Sequence, residues 1–206
     1  MEVMKRVEVF ADIVCPFTHV GLRRLSQERS VRERCVALRV RAWPLEWING
    51  AALGPDLLAQ EIGALRGSVA PELFRGFDPS LFPLTSIPAF GLAAAAYAMN
   101  DATGAAVSLA VRDALFEHGE DISDPEVLQA IGRRFDVEPR ELAVTESAVR
   151  ADWERGKRRS VLGSPHFFVG ERGWFCPSLD ISHDDGRFDV RVADETMRDF
   201  YAEAFA

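Results

Sequence analysis

The sequence predicts an α/β fold in which a large all-helical insertion separates a strand–helix–strand unit from a strand–strand–helix unit. Three observations lead to this prediction. Residues 7–45 alternate between strand-like and helix-like patterns, residues 54–159 carry only helical signals, and strand character returns at Pro165. We therefore expect an α/β domain formed by residues 1–53 and 160–206, and a helical domain formed by residues 54–159.

The first unit is strand–helix–strand. The stretch VEVFADIV from Val7 alternates and then becomes apolar, which is typical of a strand. Pro16 suits the first position of a helix, where no backbone N–H is needed, and FTHVGLRRLSQERS continues that helix. VALRVRAWPL, residues 36–45, alternates again and predicts a second strand, parallel to the first.

The middle block predicts several helices. DLLAQEIGALRG is short and periodic, and the alanine-rich stretches AFGLAAAAYAMNDATG and ATGAAVSLAVRDALFEHG share one helical character. Ser123-Asp124-Pro125-Glu126 predicts a helix start with a Ser or Asp cap. Pro139 opens a further helix that runs through RELAVTESAVRADWERGKRR.

The last unit begins with a hairpin. PHFFVG and GWFC flank the short turn Glu171-Arg172-Gly173. The stretch PSLDISHDDGR predicts a loop, and ADETMRDFYAEAF predicts a final helix.

Composition excludes several classes of protein. The net charge of -8 argues against partners such as nucleic acid and anionic membranes. No apolar run approaches the ~20 residues of a membrane span, and MEVMKRVEVFADIV lacks the apolar core of a signal peptide, so we expect a cytoplasmic protein. Three cysteines predict no disulfide framework, and four scattered histidines predict no metal site.

The segment Cys15-Pro16-Phe17-Thr18 contains the candidate catalytic residues. Cys15 follows a strand and precedes a helix, whose N-terminus favours a thiolate, so we expect a reactive thiol with a lowered pKa. The alternative is an inert buried cysteine. Thr18 cannot close a disulfide, but one helical turn brings its hydroxyl near the Cys15 sulfur; alternatively it bonds its own backbone. The chemistry that remains is that of a single thiol.

Four local sequences carry a resemblance to a known family. VFADIVCPFTHVG, RAWPLEW, ALFEHGEDISDPEVL and GSPHFFVG resemble the DsbA-like family of thioredoxin-fold proteins. That family includes FrnE-type proteins, kappa-class glutathione transferases and 2-hydroxychromene-2-carboxylate isomerases. The resemblance touches most of the chain and implies a thioredoxin fold (β-α-β … β-β-α) interrupted by a large all-helical insertion.

The resemblance also implies roles for particular residues. The Ser164–Pro165 bond is expected to be cis, with the backbone of Ser164 facing the Cys15 sulfur and pairing with substrate or glutathione. The glutathione-using branches have Ser-Pro-aromatic-Ser in place of Cys-Pro-Phe-Thr and an acidic residue after the hairpin. That acid is absent here, and Ser178 or Asp180 would have to replace it.

Strand direction predicts which later residues approach Cys15. The strand after Pro165 runs away from the motif, so the next strand returns and ends near it, at Cys176. Cys176 is then a displaced resolving thiol or a buried strand-end cysteine. His183 is a base for the thiol or a solvated side chain.

Other groups have plainer interpretations. His19 is expected to be a surface imidazole, the alternative being that it tunes the thiol. Cys35 and His166 are interpreted as structural. A basic group is expected to form a solvated helix end or else to attract an anionic substrate; it consists of Arg155, Lys157, Arg158 and Arg159. An aromatic group is expected to pack in the core or else to line a groove; it consists of Trp43, Trp47, Phe74, Phe77, Phe82 and Phe90.

Three hypotheses about function follow. The first is a DsbA-like thiol–disulfide oxidoreductase or isomerase that acts through Cys15 on a disulfide-containing protein or a small thiol. The second is a glutathione-dependent transferase or isomerase, with glutathione as the one cofactor considered. The third is a non-catalytic binding module. A homodimer is a further expectation.

Overall fold

The computed structural model of the protein describes residues 5–32, 36–139, 142–184 and 187–206. Cys35, which we interpret as structural, lies outside the described residues. The predicted start of a helix immediately after Pro139 also lies outside them, at residues 140–141.

Within the described residues the chain forms six strands and eight α-helices. The strands are β1 Arg6–Ala11, β2 Ala37–Ala42, β3 His166–Val169, β4 Arg172–Phe175, β5 Leu179–Asp184 and β6 Arg187–Val192. The helices are α1 Pro16–Arg32, α2 Leu45–Asn49, α3 Pro55–Ser68, α4 Ile87–Met99, α5 Asp101–His118, α6 Pro125–Arg133, α7 Leu142–Arg158 and α8 Asp194–Ala204. A short 3-10 helix spans Pro79–Leu81.

The main sheet has the strand order β2-β1-β3-β4. Strand β1 is parallel to β2, with Val9 opposite Val40, and antiparallel to β3, with Val9 opposite Phe167. The hairpin of β3 and β4 turns at Gly170, whose φ of 57° is open to glycine without a steric penalty. The predicted strand–helix–strand and strand–strand–helix units are therefore confirmed.

Alternation along β1 divides its side chains between two cores. Val7 and Val9 share one buried cluster with Leu22 of α1 and Phe200 of α8. Phe10 points to the other face, where it packs edge-on against Trp43 and Phe168. Both faces of the sheet are thus covered, as expected for a central strand.

Among the described residues, six α-helices, α2 to α7, come between β2 and β3. Their largest buried cluster also contains Ile13, Val14 and Cys176, which flank the motif and the β3–β4 hairpin. The insertion therefore supports the loop that carries Cys15. The predicted bounds of the two domains stay a prediction.

Several predicted element boundaries are wrong. The turn predicted at Glu171-Arg172-Gly173 lies at residues 170–171, because β4 begins at Arg172. The strand predicted to reach residue 45 ends at Ala42. The stretch predicted as a loop is the hairpin of β5 and β6, in which Leu179 pairs with Val192. Its alternating apolar residues are masked by the polar run Asp-Ile-Ser-His-Asp-Asp. The alanine-rich stretch divides at Asn100, whose side chain accepts a hydrogen bond from the Thr103 N–H at 2.8 Å and so caps a new helix. The predicted cap before α6 is confirmed, with Asp124 accepting from the Glu126 N–H.

The prediction that the basic end of α7 is solvated is wrong for two of its arginines. Arg155 and Arg159 both bind Glu8, a residue of β1 that is 6% exposed, while Lys157 pairs at the surface with Glu154. The correction has a physical reason: a buried carboxylate needs compensating charge, and this helix end lies over the sheet face that carries it.

Candidate active site

Cys15 lies at the start of α1. It precedes Pro16, the first helical residue, and its carbonyl accepts a hydrogen bond from the His19 N–H at 3.2 Å, which closes the first turn. Phe17 packs against the main core. Cys15 itself is only 2% exposed. The sulfur therefore lies where the sequence predicts it along the chain, but beneath the surface.

The loop before β3 covers the thiol. The Ser164–Pro165 bond is cis, the isomer that the resemblance implies. The Cys15 thiol donates to the Ser164 carbonyl, with Sγ and O 3.3 Å apart. The Ser164 hydroxyl lies 2.9 Å from the Thr18 hydroxyl and accepts the Asp12 backbone N–H at 2.8 Å. One hydrogen-bonded group thus joins the motif to the Pro165 loop.

The prediction that Cys15 has a lowered pKa is wrong. Burial raises the pKa of Cys15 above its ordinary value of 9.0, although hydrogen bonds from the Ser164 hydroxyl and from Thr18 oppose that rise. The charge of Glu61 raises the pKa further. The start of α1 cannot compensate for the loss of water, so the resting group is a protonated thiol.

We expect alkylation of Cys15 by iodoacetamide to have its rate midpoint above pH 9.0 in the folded protein, because the pKa is raised. In denaturant the midpoint should return to about 8.5. A raised pKa also means that the folded state keeps the thiol proton up to a higher pH than the unfolded state does. The free energy of unfolding should therefore fall as the pH rises above the pKa of the unfolded state. Peptide mass spectrometry of samples taken along the pH series separates Cys15 from Cys35 and Cys176. A folded-state midpoint below pH 8 for Cys15 would contradict the burial argument.

Cys176 follows β4 directly and is buried. Its N–H donates to the Pro165 carbonyl at 2.9 Å, and its φ of 43° is unusual for a residue with a side chain. Burial raises its pKa to about 12, and the charge of Cys15 contributes to this rise. Cys15 and Cys176 are both free thiols. The interpretation of Cys176 as a buried strand-end cysteine is confirmed, and a resolving role stays a prediction.

The other residues predicted near Cys15 differ in burial. Ser178 is buried, and its carbonyl accepts from Arg24 at 2.7 Å. Asp180 and His183 are exposed on β5. Among the described residues, the ring of His183 stacks on the ring of Phe188. Of the predicted glutathione ligands, Ser164 lies at the thiol and Ser178 is turned into the fold.

His19 is buried, so its predicted position at the surface is wrong. It packs between Phe74 and Phe116, with ring centroids 5.3 and 5.0 Å away. Burial lowers its pKa, and its Nε2 lies 2.8 Å from a carboxylate oxygen of Glu117. A neutral imidazole that donates to Glu117 fits this site, and its role is to fasten α1 to α5.

The predictions of structural roles for His166 and the aromatic side chains are confirmed. His166 is 7% exposed, stacks on Phe168, and accepts the Leu162 N–H at Nδ1. The aromatic side chains of the predicted groove set pack in or against the cores instead, and they are Trp43, Trp47, Phe74, Phe77, Phe82 and Phe90.

Sequence reasoning missed three charged residues around the motif. Asp12 is fully buried, accepts the N–H groups of Val14 and Leu45, and has its pKa raised to about 6 by burial. Arg112 is also buried and donates to the Asp12 carbonyl at 3.1 Å. Glu61 of α3 has its pKa raised to about 7 by burial. The position of Asp12, three residues before Cys15, was the one available signal.

The described residues hold neither a metal-binding cluster nor a membrane-spanning helix. Among them no group of three or more His, Cys, Asp or Glu side chains is arranged to hold a metal ion. In the same part of the chain, no helix has both the length and the apolar character needed to span a bilayer.

The fold has clear relatives among solved structures. A protein from Nitrosomonas europaea, provisionally assigned as a protein disulfide isomerase, matches 98% of this chain and 100% of its own, with 13% identity and a TM-score of 0.64. The cytosolic disulfide reductase DsbM from Pseudomonas aeruginosa matches 96% of this chain and 97% of its own, with 16% identity and a TM-score of 0.56.

A third solved structure, a 2-hydroxychromene-2-carboxylate isomerase, matches 82% of this chain and 88% of its own, with 16% identity and a TM-score of 0.57. No protein-family model and no curated protein sequence matches the chain. At these identities the likeness concerns the fold. The chain therefore has the DsbA-like thioredoxin fold, interrupted by a large helical insertion.

Proposed function

We propose that this protein is a thiol–disulfide oxidoreductase or isomerase that acts through the single thiol of Cys15. The observation that carries the proposal is the contact between the Cys15 sulfur and the Ser164 carbonyl at 3.3 Å, with the Thr18 hydroxyl beside them. The fold shared with a disulfide reductase and with a protein provisionally assigned as a protein disulfide isomerase supports it. The substrate class is a disulfide-bonded protein or a small disulfide, and the proposed location is the cytoplasm.

The reaction begins from a protonated thiol. Cys15 loses its proton to water or to a basic group, and the thiolate attacks one sulfur of the substrate disulfide. The substrate S–S bond breaks, an enzyme–substrate disulfide forms, and the departing substrate sulfur takes up a proton. The side-chain hydroxyls of Thr18 and Ser164, whose hydrogen bonds lower the pKa of Cys15, stabilise the thiolate during this step.

A second thiol must complete the cycle. It attacks the mixed disulfide, restores Cys15 as a thiol and leaves as the new disulfide. Cys176 is poorly suited to this role, because burial raises its pKa to about 12. A thiol from outside the chain, either glutathione or a cysteine of the substrate, is the more suitable attacking group. With glutathione, a second glutathione then attacks the glutathione–substrate disulfide, and the net reaction is reduction of the substrate with formation of glutathione disulfide; with a substrate cysteine the net reaction is isomerisation.

The second candidate is a glutathione-dependent transferase or isomerase. The observation that favours it is the pair of hydroxyls, Thr18 and Ser164, beside the sulfur, together with the shared fold of the isomerase. Against it, Ser178 is buried with its carbonyl bound by Arg24, and the acidic residue that the glutathione-using branches carry after the hairpin is absent. The disulfide-exchange proposal is therefore preferred.

The test is turnover of a fluorescent peptide disulfide with glutathione as the reductant. We expect catalysed reduction and, without glutathione, an intact-mass increase equal to one half of the peptide disulfide on Cys15. The adduct should vanish when glutathione is added. Binding of the peptide with neither adduct nor turnover would favour a non-catalytic module. Retention on immobilised glutathione without disulfide reduction would favour the transferase.

Thr18 allows a matched pair of substitutions. We expect Thr18→Val to slow the attack on the peptide disulfide by about 10-fold, or ~1.4 kcal/mol, because the hydroxyl near the sulfur is lost while the volume is kept. Thr18→Ser keeps the hydroxyl and should lose less than the valine variant. The rate is followed against pH, and the midpoint should move upward in Thr18→Val only. Equal pH profiles for both variants would assign Thr18 a packing role alone.

A further inference from the structure

Glu61 lies at the edge of the buried face of α3. Ile62 and Leu65 of the same helix pack into the buried cluster that contains Val14, the residue directly before Cys15. The helix therefore packs against the loop of the active-site motif. Glu61 itself keeps part of its surface exposed to solvent.

The carboxylate of Glu61 has no direct partner. Within the part of the chain that the structure describes, it forms no hydrogen bond and no ion pair. Burial without such partners raises the pKa of Glu61 to about 7. Carboxylates that are largely withdrawn from water are normally paired or hydrogen-bonded. The partner of an ionised Glu61 must therefore come from outside the described residues.

The charge of Glu61 acts on the Cys15 sulfur. Burial is the main cause of the raised pKa of Cys15, and among the charged side chains of the described residues Glu61 adds most to that rise. Coulomb interactions weaken with distance and with intervening water. This effect therefore places the Glu61 carboxylate in the neighbourhood of the sulfur.

The cations near the two thiols do not cancel this charge for a substrate. Arg112 is 1% exposed and donates to the Asp12 carbonyl, so it cannot contact a charged group on a bound disulfide. Burial dominates the pKa of Cys176, where the charges of Asp180 and Arg24 act in opposite directions. The charge that a substrate meets beside Cys15 is therefore the negative charge of Glu61.

We propose that Glu61 determines the substrate specificity of Cys15, and that the preferred substrates are disulfides with a positively charged group beside the sulfur. The inference rests on the proposed thiol–disulfide exchange, whose substrate class it narrows. An ammonium group on the substrate gains an ion pair with Glu61, whereas a substrate carboxylate is repelled by it.

The exchange reaction itself brings the substrate charge to Glu61. The Cys15 sulfur loses its proton to water and bonds to one substrate sulfur; the substrate S–S bond breaks, and the departing sulfur takes up a proton. The mixed disulfide then holds the substituents of the bound sulfur within a few bonds of Cys15. A charge on those substituents consequently lies close to the Glu61 carboxylate.

The probes are three small disulfides that differ in charge: cystamine is cationic, hydroxyethyl disulfide is neutral and dithiodiglycolate is anionic. The rate of mixed-disulfide formation on Cys15 is measured by peptide mass spectrometry, at a pH about one unit above the pKa of about 7 of Glu61. The quantity compared between variants is the ratio of the cystamine rate to the dithiodiglycolate rate, because the intrinsic reactivities of the two reagents then cancel.

We expect Glu61→Gln to lower this ratio about 10-fold, because the attraction of the cation and the repulsion of the anion are lost together. Glu61→Lys should lower it further and make dithiodiglycolate the faster reagent relative to the glutamine variant. Glu146→Gln removes the same charge from an exposed position of α7 and is the control. Its ratio should stay within about 2-fold of that of the unmodified chain.

The outcomes separate this inference from the proposed function. Equal ratios in the unmodified chain and in both Glu61 variants would overturn the charge selection and leave the thiol chemistry of Cys15 intact. Absence of a Cys15 adduct with all three disulfides would overturn the proposed function, and the inference with it. If Glu61→Lys fails to fold by circular dichroism, Glu61→Gln decides alone, since it loses no hydrogen bond within the described residues.

Discussion

Cys15→Ser is expected to reduce the turnover of a peptide disulfide by at least about 10³-fold, equivalent to a barrier increase of about 4 kcal/mol. The reason is chemical: a serine hydroxyl cannot form the mixed disulfide through which the exchange proceeds. The hydroxyl can still donate to the Ser164 carbonyl, so the contact that joins the motif to the Pro165 loop is retained. The variant should therefore stay folded, which circular dichroism and the melting temperature can check.

Cys176→Ser is the matched control for this experiment. Cys176 is also a buried free thiol, and its N–H bond to the Pro165 carbonyl comes from the backbone and survives the substitution. If an external thiol completes the cycle, this variant should keep turnover within about 3-fold of the unmodified chain, a barrier change under about 1 kcal/mol.

The two variants together distinguish three mechanisms. Loss of turnover in Cys15→Ser alone supports the single-thiol cycle. Loss in both, with a stable Cys15 adduct accumulating in Cys176→Ser, would instead make Cys176 the resolving thiol. Full turnover in Cys15→Ser would remove the proposed chemistry altogether.

The sequence predicts the outline of the fold because its signals are local. The alternation after Val7 and the position of Pro16 report directly on backbone geometry. The β5–β6 hairpin escaped detection because its outer face is polar, and only the pairing with the second strand shows its register. The sequence does not predict the break at Asn100, because a capping residue inside an alanine-rich run does not interrupt the helical composition.

The candidate site was harder to predict, because burial is a long-range property. Position at a helix start indicates a low pKa for Cys15, but the Pro165 loop covers the sulfur and raises the pKa. The same holds for His19, whose cover comes from α5 and the loop that carries Phe74. No local pattern shows that Arg112 stands behind the motif, since about 100 residues of chain separate it from Asp12.

The largest expected effect on stability concerns Glu8, at the centre of a cluster of arginines. Its carboxylate binds Arg41, Arg155 and Arg159, and its side chain is 8% exposed. Burial alone would raise the pKa of Glu8, but Arg41 and Arg155 lower it below its ordinary value of 4.5, so the group is ionised at neutral pH. Removing the charge leaves three guanidinium groups around an uncharged amide.

We expect Glu8→Gln to lower the free energy of unfolding by about 3–5 kcal/mol, the usual cost of removing one partner from a buried ion pair. The melting temperature should then fall by at least about 6 °C for a chain of this size. Glu154→Gln removes a carboxylate that pairs with Lys157 at the surface, and its cost should stay below about 1 kcal/mol.

The pH dependence adds a second check on the Glu8 argument. Because the folded pKa lies below the unfolded one, the contribution of Glu8 is fully present above about pH 4.5 and is lost as the pH falls through the folded value. The stability difference between the unmodified chain and Glu8→Gln should shrink over that acid range. A constant difference, or a loss no larger than that of Glu154→Gln, would mean that water rather than the arginines compensates Glu8, and that the basic end of α7 is solvated after all.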